Sequence, residues 1–282
     1  MKCGMSPNLL NISISKDNKY ILLSRCCALE LTSIPIEDFF SMSFEELNKL
    51  NLINNVVPGR INRCRGGKCE IENFDSVLLG FIQNCNFSCY HCCSGFDHSD
   101  NSPFTVYFSN DEKLERKNIL FKVLKKIIEL KKVSSITLDG SGEIFIYYKE
   151  LIEFIQTEAK KKDFNIKNIV FLTNGSLLDN YKIEELYKLG RDNNINFIFF
   201  VSIDELYGKK SRNMNGIQLL PNIINLGKKF QVIINLTVKK VNEDQVFKVR
   251  DFFKKLGFKI SYNYDCFDMS VAQTYLQLRE EE

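Results

Sequence analysis

Cys85, Cys89 and Cys92 stand in the run Asn84-Cys85-Asn86-Phe87-Ser88-Cys89-Tyr90-His91-Cys92, just past an apolar, strand-like stretch over residues 77–82. Iron-sulfur clusters are held by cysteine thiolates, usually four of them. Three thiolates hold three irons of a four-iron cubane and leave the fourth without a protein ligand. An open metal position separates a reactive centre from a structural one, because a substrate or cosubstrate can coordinate there. Asn86, Ser88 and the nearby Gly95 favour a turn over a helix, and the apolar run before Asn84 is too short to be a helix of its own. Two other readings stay open. Positions i, i+4 and i+7 share one face of a helix, where free cysteines pack as small hydrophobes. Alternatively, Cys85, Cys89 and Cys92 with His98 have ligand types suited to zinc. Cys93 offers no second register, because the matching third position is Phe96.

The elements that must position these thiols have room to form. The chain has 282 residues, 44% of them apolar, enough for one large domain or a domain with a small appendage. Its 38 basic and 35 acidic residues leave a net charge of +3, so charge makes no case for nucleic acid. Paired lysines such as Lys131 with Lys132 and Lys254 with Lys255 fall late in predicted helices, where they complement the helix dipole. The opening Met1-Lys2-Cys3-Gly4 is not followed by an apolar signal segment. No apolar run approaches the roughly 18 residues of a membrane span. A cytoplasmic, reducing compartment is the expectation, and there ten clustered cysteines mean metal more often than disulfide.

From Ser76 onward, short β-branched or aromatic runs alternate with amphipathic ones, the pattern of repeated βα units. Strands are predicted at residues 77–82, 135–139, 168–173, 196–203, 231–238 and 258–262. Between them, Asp179 and Asn242 are read as helix N-caps, and Gly257 as a C-terminal stop. Pro221 suits the first turn of a helix near Leu219 better than its middle. A last helix is expected over residues 269–278. The fold class is α/β: a parallel, right-handed, partial (β/α)6 TIM-like barrel over residues 76–282, preceded by a small cysteine-containing accessory region over residues 1–75.

In such folds functional residues collect at the carboxyl ends of the strands. The cysteine loop follows the first. The second ends in Asp139-Gly140-Ser141-Gly142-Glu143, where small residues let backbone approach a ligand and a carboxylate can accept from an ammonium. The third ends in Thr173-Asn174-Gly175, the fourth in Ser202-Ile203-Asp204 and the fifth in Asn235-Leu236-Thr237, with Tyr262 and Asn263 as further polar candidates. Each alone is as readily a turn. Together they surround one mouth with polar groups.

With these residues the chain resembles the radical S-adenosylmethionine superfamily from about Ser76 to its C-terminus. Cys85, Cys89 and Cys92 match that family's CxxxCxxC ligands to a 4Fe-4S cluster. Gly140, Ser141, Gly142 and Glu143 match the glycine-rich segment that holds the methionine end of S-adenosylmethionine; Ser202 and Asp204 resemble the polar pair near the ribose; Asn174 sits in the family's TNG turn. Ile144 stands where the family commonly has proline, and His91 where it has an aromatic residue. The resemblance implies that the open iron binds the cosubstrate and that one electron cleaves its carbon-sulfur bond. The resulting 5′-deoxyadenosyl radical abstracts hydrogen from a substrate. It also implies an electron donor such as flavodoxin or ferredoxin.

Residues 1–75 hold five further cysteines, Cys3, Cys26, Cys27, Cys64 and Cys69, with a loop Cys64-Arg65-Gly66-Gly67-Lys68-Cys69 whose adjacent glycines let it fold tightly and a predicted helix over residues 43–50. The segment resembles the SPASM or twitch accessory domains of peptide-modifying radical enzymes, although it precedes the barrel rather than following it. It implies an auxiliary Fe-S cluster or zinc on Cys26 or Cys27 with Cys64 and Cys69; inert thiols in a small core are the other reading. The expected function is hydrogen abstraction from a peptide or protein side chain. Small-molecule radical chemistry and a non-catalytic zinc-binding interaction protein are the alternatives.

Overall fold

The computed structural model describes residues 9–15, 17–24, 32–50, 74–80, 84–87, 89, 108–138, 142–208, 212, 214–238, 242–264 and 274, with backbone alone at 263 and 264. Cys26, Cys27, Cys64, Cys69, Cys92, His98, Gly140 and Ser141 lie outside the described residues, as does the expected helix over 269–278 apart from Thr274.

Among the described residues, nine strands, numbered in chain order, form one sheet. The strands β4 (Ser76–Leu79), β5 (Ser135–Leu138), β6 (Asn168–Thr173), β7 (Asn196–Ser202), β8 (Gln231–Val238) and β9 (Lys259–Tyr264) run parallel and sit side by side in chain order. Sequential order matters because right-handed crossovers that never reverse direction put every connecting helix on one face of the sheet. A sheet covered on one face only must curl, so the class is a partial TIM-like α/β barrel and not a doubly wound sheet.

Side-chain alternation separates the two faces. In β6 the burial pattern makes Ile169, Phe171 and Thr173 buried and their neighbours half-buried; in β7 Phe197, Phe199 and Val201 are buried, Ile198, Phe200 and Ser202 half-buried and Asn196 exposed. Phe171 lies 5.1 Å from Phe145 and 5.2 Å from Phe199 between ring centroids, and Phe199 lies 5.0 Å from Phe230. Such pairs contribute about 0.5–1.5 kcal/mol each beyond their buried area. This aromatic seam packs β6 and β7 against the turns that lead into β8 and into the helix Tyr148–Ala159.

The helices α3 (Asn110–Glu129), α4 (Tyr148–Ala159), α5 (Asn180–Asn193), α6 (Gly216–Gly227) and α7 (Val246–Lys255) supply that layer. Their starts are chemically specified. Ser109 and Glu112 form a reciprocal capping box on α3, Asn215 and Gln218 form one on α6, and the Asp179 carboxylate accepts from the Lys182 N–H at 2.9 Å on α5. Gly257, at φ +84°, ends α7 in the left-handed region as expected. Two expectations are corrected. Pro221 stands inside α6, not in its first turn. Asn242 does not cap α7, which starts four residues later; its buried amide instead donates to the Thr237 carbonyl at 2.8 Å and the Asp204 carbonyl at 3.2 Å.

Residues before 75 add what the sequence reading passed over. The strands β1 (Leu9–Ile14), β2 (Tyr20–Ser24) and β3 (Thr32–Pro35) extend the barrel sheet, β1 running parallel to β4 in the register Ile12↔Leu79. Two short helices follow, α1 (Ile36–Ser41) and α2 (Phe44–Lys49), the second close to the expected span and capped by Ser43 with Glu46. The edge of β4 that a full barrel would close is therefore taken by β1. No helix among the described residues is long and apolar enough to cross a membrane.

Candidate cysteine site at the carboxyl edge of the sheet

β4 ends at Leu79, and its pairing with β1 continues one residue further through the Gly80 N–H to the Ile12 carbonyl at 2.9 Å. The chain then enters the cysteine loop, which is held from both flanks. The Asn84 carbonyl accepts from the Glu143 N–H at 2.8 Å, and its amide donates to the Tyr147 hydroxyl at 3.3 Å. Asn86 accepts from the Asn174 amide at 2.9 Å and donates to the Ser176 hydroxyl, also at 2.9 Å. Cys85, between these anchors, is reached by the Phe87 N–H at 3.4 Å and by the Asn174 amide at 4.0 Å. Cys89 is buried, and the Arg212 guanidinium stands 3.5 Å from its sulfur.

Each described sulfur thus faces N–H donors. Those are the contacts that stabilise an anionic thiolate, and they also tune thiolate-bound metal. The donor set fits an iron-sulfur cluster on this loop. Among the described residues no three metal-ligating side chains form a group, the third expected ligand, Cys92, being outside them.

Around this loop the strand ends form two networks. The first is centred on Glu143, which is fully buried. Its carboxylate accepts from the Asn174 N–H at 2.7 Å, the Thr173 hydroxyl at 2.9 Å and the Phe145 N–H at 3.2 Å. It latches the end of β5 to the turn after β6 and fixes the backbone beside Gly142. That turn needs its glycine: Gly175 has φ +74°, and a Cβ there would meet Val201 Cγ1 at 3.0 Å. The Asn174 side chain is occupied as well, its carbonyl oxygen accepting from the Ser176 N–H and hydroxyl. Asn174 and Glu143 therefore position the loop and the turn through their side chains.

Burial pushes the Glu143 carboxyl up from 4.5 to about 7, against the pull of its hydrogen-bond donors and of Arg212. Within that window the folded chain keeps a proton that the unfolded chain has lost. The associated stability is complete below pH 4.5, declines as pH rises, and is gone above about 7. Denaturant titrations of wild type and Glu143→Gln at pH 5, 6 and 7 are predicted to diverge in slope, wild type losing up to about 1.4 kcal/mol more per pH unit. A difference between the two that is constant with pH would refute the assignment.

The second network joins the ends of β7 and β8. Asp204, buried, accepts from Arg212 Nε at 2.6 Å on one oxygen and from the Thr237 N–H at 3.0 Å on the other. Ser202 and Asn235 are register partners, and the Asn235 amide donates to the Ser202 hydroxyl at 3.4 Å. Asn235 pairs in turn with Ser261, so a polar row crosses the open face at the carboxyl edge, one step beyond the deeper apolar row of Leu172, Phe200 and Ile233. Tyr262 is not part of that row: it pairs with Leu236 and shares its buried, helix-covered side.

The structure thus gathers Cys85, Cys89, Gly142, Glu143, Asn174, Ser202 and Asp204 at one edge of the sheet. Arg212 was missed by sequence reasoning, since a single arginine in a loop ten residues past Ser202 carries no periodic or motif signal. Asn84 and Asn86 were missed as anchors, although their places on either side of Cys85 could have suggested it.

No family model matches the chain, and no curated protein matches it. Among solved structures, one similar chain belongs to the tryptophan synthase complex from Pyrococcus furiosus, at 10% sequence identity and a TM-score of 0.35, covering 72% of this chain and 71% of that one. The assignment of architecture rests on the strand order and register above.

Proposed function

We propose that this chain is a radical S-adenosylmethionine enzyme that abstracts hydrogen from a peptide or protein side chain. One observation carries the reading: Cys85 and Cys89 follow β4, the first of the six parallel strands that sit side by side in chain order, each sulfur facing N–H donors supplied in part by the turns after other strands. A 4Fe-4S cluster held by Cys85, Cys89 and Cys92 supplies, when bound, the electron for reductive cleavage of S-adenosylmethionine to the 5′-deoxyadenosyl radical. The residues of the chain do the rest. Asn84 and Asn86 hold the cysteine loop in register with the turns after β5 and β6. Gly140, Ser141 and Gly142 offer backbone to the methionine end of the cosubstrate, with Glu143 fixing the last of them in place. Ser202 stands with Asn235 and Ser261 in the polar row that suits a ribose, since hydroxyls need paired donors and acceptors in a partly dry site, and the buried Asp204 braces the end of that row through Thr237.

The peptide reading draws on residues 1–75, whose Cys26, Cys27, Cys64 and Cys69 suit an auxiliary Fe-S cluster or zinc. Three strands from this segment, β1 to β3, continue the barrel sheet past β4. A cytoplasmic, reducing compartment and a flavodoxin or ferredoxin as electron donor go with this reading.

The test is anaerobic reconstitution with iron and sulfide, followed by S-adenosylmethionine and a strong reductant. Formation of 5′-deoxyadenosine is the expected result. A chain that loads zinc in preference to iron and forms none would defeat the proposal.

A further inference from the structure

We infer that Arg212 is a positioning residue for Cys89: its guanidinium, locked by Asp204, holds the Cys89 sulfur and raises the reduction potential of the cluster bound there. The inference rests on the iron-sulfur reading above and assigns a role to a residue which that reading leaves without one.

Arg212 lies in the connection between β7 and α6, yet its side chain is only 14% exposed, and Asp204 is fully buried. The two contacts use different nitrogens. Nε meets the Asp204 carboxylate at 2.6 Å, and a terminal nitrogen meets the Cys89 sulfur at 3.5 Å. A planar guanidinium spans two acceptors in a fixed geometry, which a point-like ammonium cannot do. Asp204 is itself fixed, its other oxygen taken by the Thr237 N–H and its backbone carbonyl by the Asn242 amide. A continuous chain of contacts therefore runs from the end of β8 through Asp204 and Arg212 to Cys89.

The consequence is electrostatic. Adding an electron to a thiolate-bound cluster adds negative charge, and hydrogen bonds or cations at the sulfurs favour that state, more strongly in a water-poor site. A mostly covered guanidinium aimed at one ligand sulfur is such a contact.

The experiment is a redox titration, followed by electron paramagnetic resonance, of the anaerobically reconstituted full chain without S-adenosylmethionine. Wild type is compared with Arg212→Gln and Arg212→Lys, and iron and sulfide content is measured for each. Arg212→Gln is expected to lower the ratio of reduced to oxidised cluster at fixed poise about tenfold, about 59 mV for a one-electron couple. Arg212→Lys keeps the charge and loses the fork, so it is expected to lower the ratio at least about threefold. If Arg212→Gln does not load iron, Arg212→Lys decides the matter by the same readout. A loaded wild type whose loaded variants stay within twofold of it overturns this inference alone. A wild type without iron and sulfide overturns both this inference and the enzyme reading beneath it.

Discussion

Cys89→Ala is expected to abolish formation of 5′-deoxyadenosine, to below about a thousandth of wild type, while leaving the chain folded. The reason lies in the disproportion between what the sulfur does for the fold and what it does for the chemistry. As a packing group Cys89 is a small buried hydrophobe whose truncation costs about 1 kcal/mol, a tolerable loss for a domain of this size. On the proposed reading it is one of three ligands, and a cubane held by two thiolates loses its attachment at a second iron. Under that reading no electron reaches the carbon-sulfur bond without the cluster. Iron content, sulfide content and product should therefore fall together, with the melting temperature nearly unchanged. Retention of product in Cys89→Ala would remove this residue from the ligand set. Alanine is preferable to serine here, because a serine oxygen can still coordinate iron.

The second large effect is on stability and falls on Arg116, far from the cysteines in sequence but near the same edge of the sheet. Arg116 is fully buried in α3, an unusual place for a guanidinium. Its terminal nitrogens donate to the Ser15 carbonyl at 3.1 Å, to the Ile14 carbonyl at 3.5 Å and to the Asn18 side-chain oxygen. Its plane lies over Phe108 at 4.5 Å. Asn18, at the tip of the β1–β2 hairpin with φ +59°, also donates to Glu115 at 2.7 Å. Burial pulls the guanidinium down to about 10, so it stays charged at neutral pH. Arg116→Ala leaves buried carbonyls and the Asn18 amide oxygen without their donor, and is expected to cost about 3–5 kcal/mol of unfolding free energy. Arg116→Lys should recover less than half of that, since one ammonium cannot reach acceptors spread across the fork. Urea unfolding monitored by circular dichroism reads both. A loss below about 1 kcal/mol for the alanine variant would mean that the hairpin is held by its strand pairing alone.

Much of the barrel was legible in the chain because its signals are local. Alternation in residues 168–173 and 231–238, the capping carboxylate of Asp179 and the left-handed Gly257 each depend on neighbours a few positions away, and each lies where it was expected. β1 to β3 were passed over for the converse reason. Short runs such as Leu9–Ile14 become strands through partners: β1 pairs with the nearby β2, but what joins this hairpin to the sheet is β4, more than sixty residues further on. Asn242 shows the same limit at the scale of one side chain: its position before Glu243 suits a cap, but two carbonyls brought in by β7 and β8 compete for the amide and win.

By itself, then, the sequence determined which residues could do chemistry, the succession of the strands after Ser76, and that the cysteine loop follows the first of those, because spacing and periodicity are properties of the chain. Only the tertiary structure decided what each of those residues faces. It committed the Glu143 and Asn174 side chains to holding the strand ends together, moved Tyr262 to the helix-covered side, and set Arg212 between Asp204 and Cys89. Such pairings depend on long-range closure of the sheet, which brings together groups that nothing local in the chain connects.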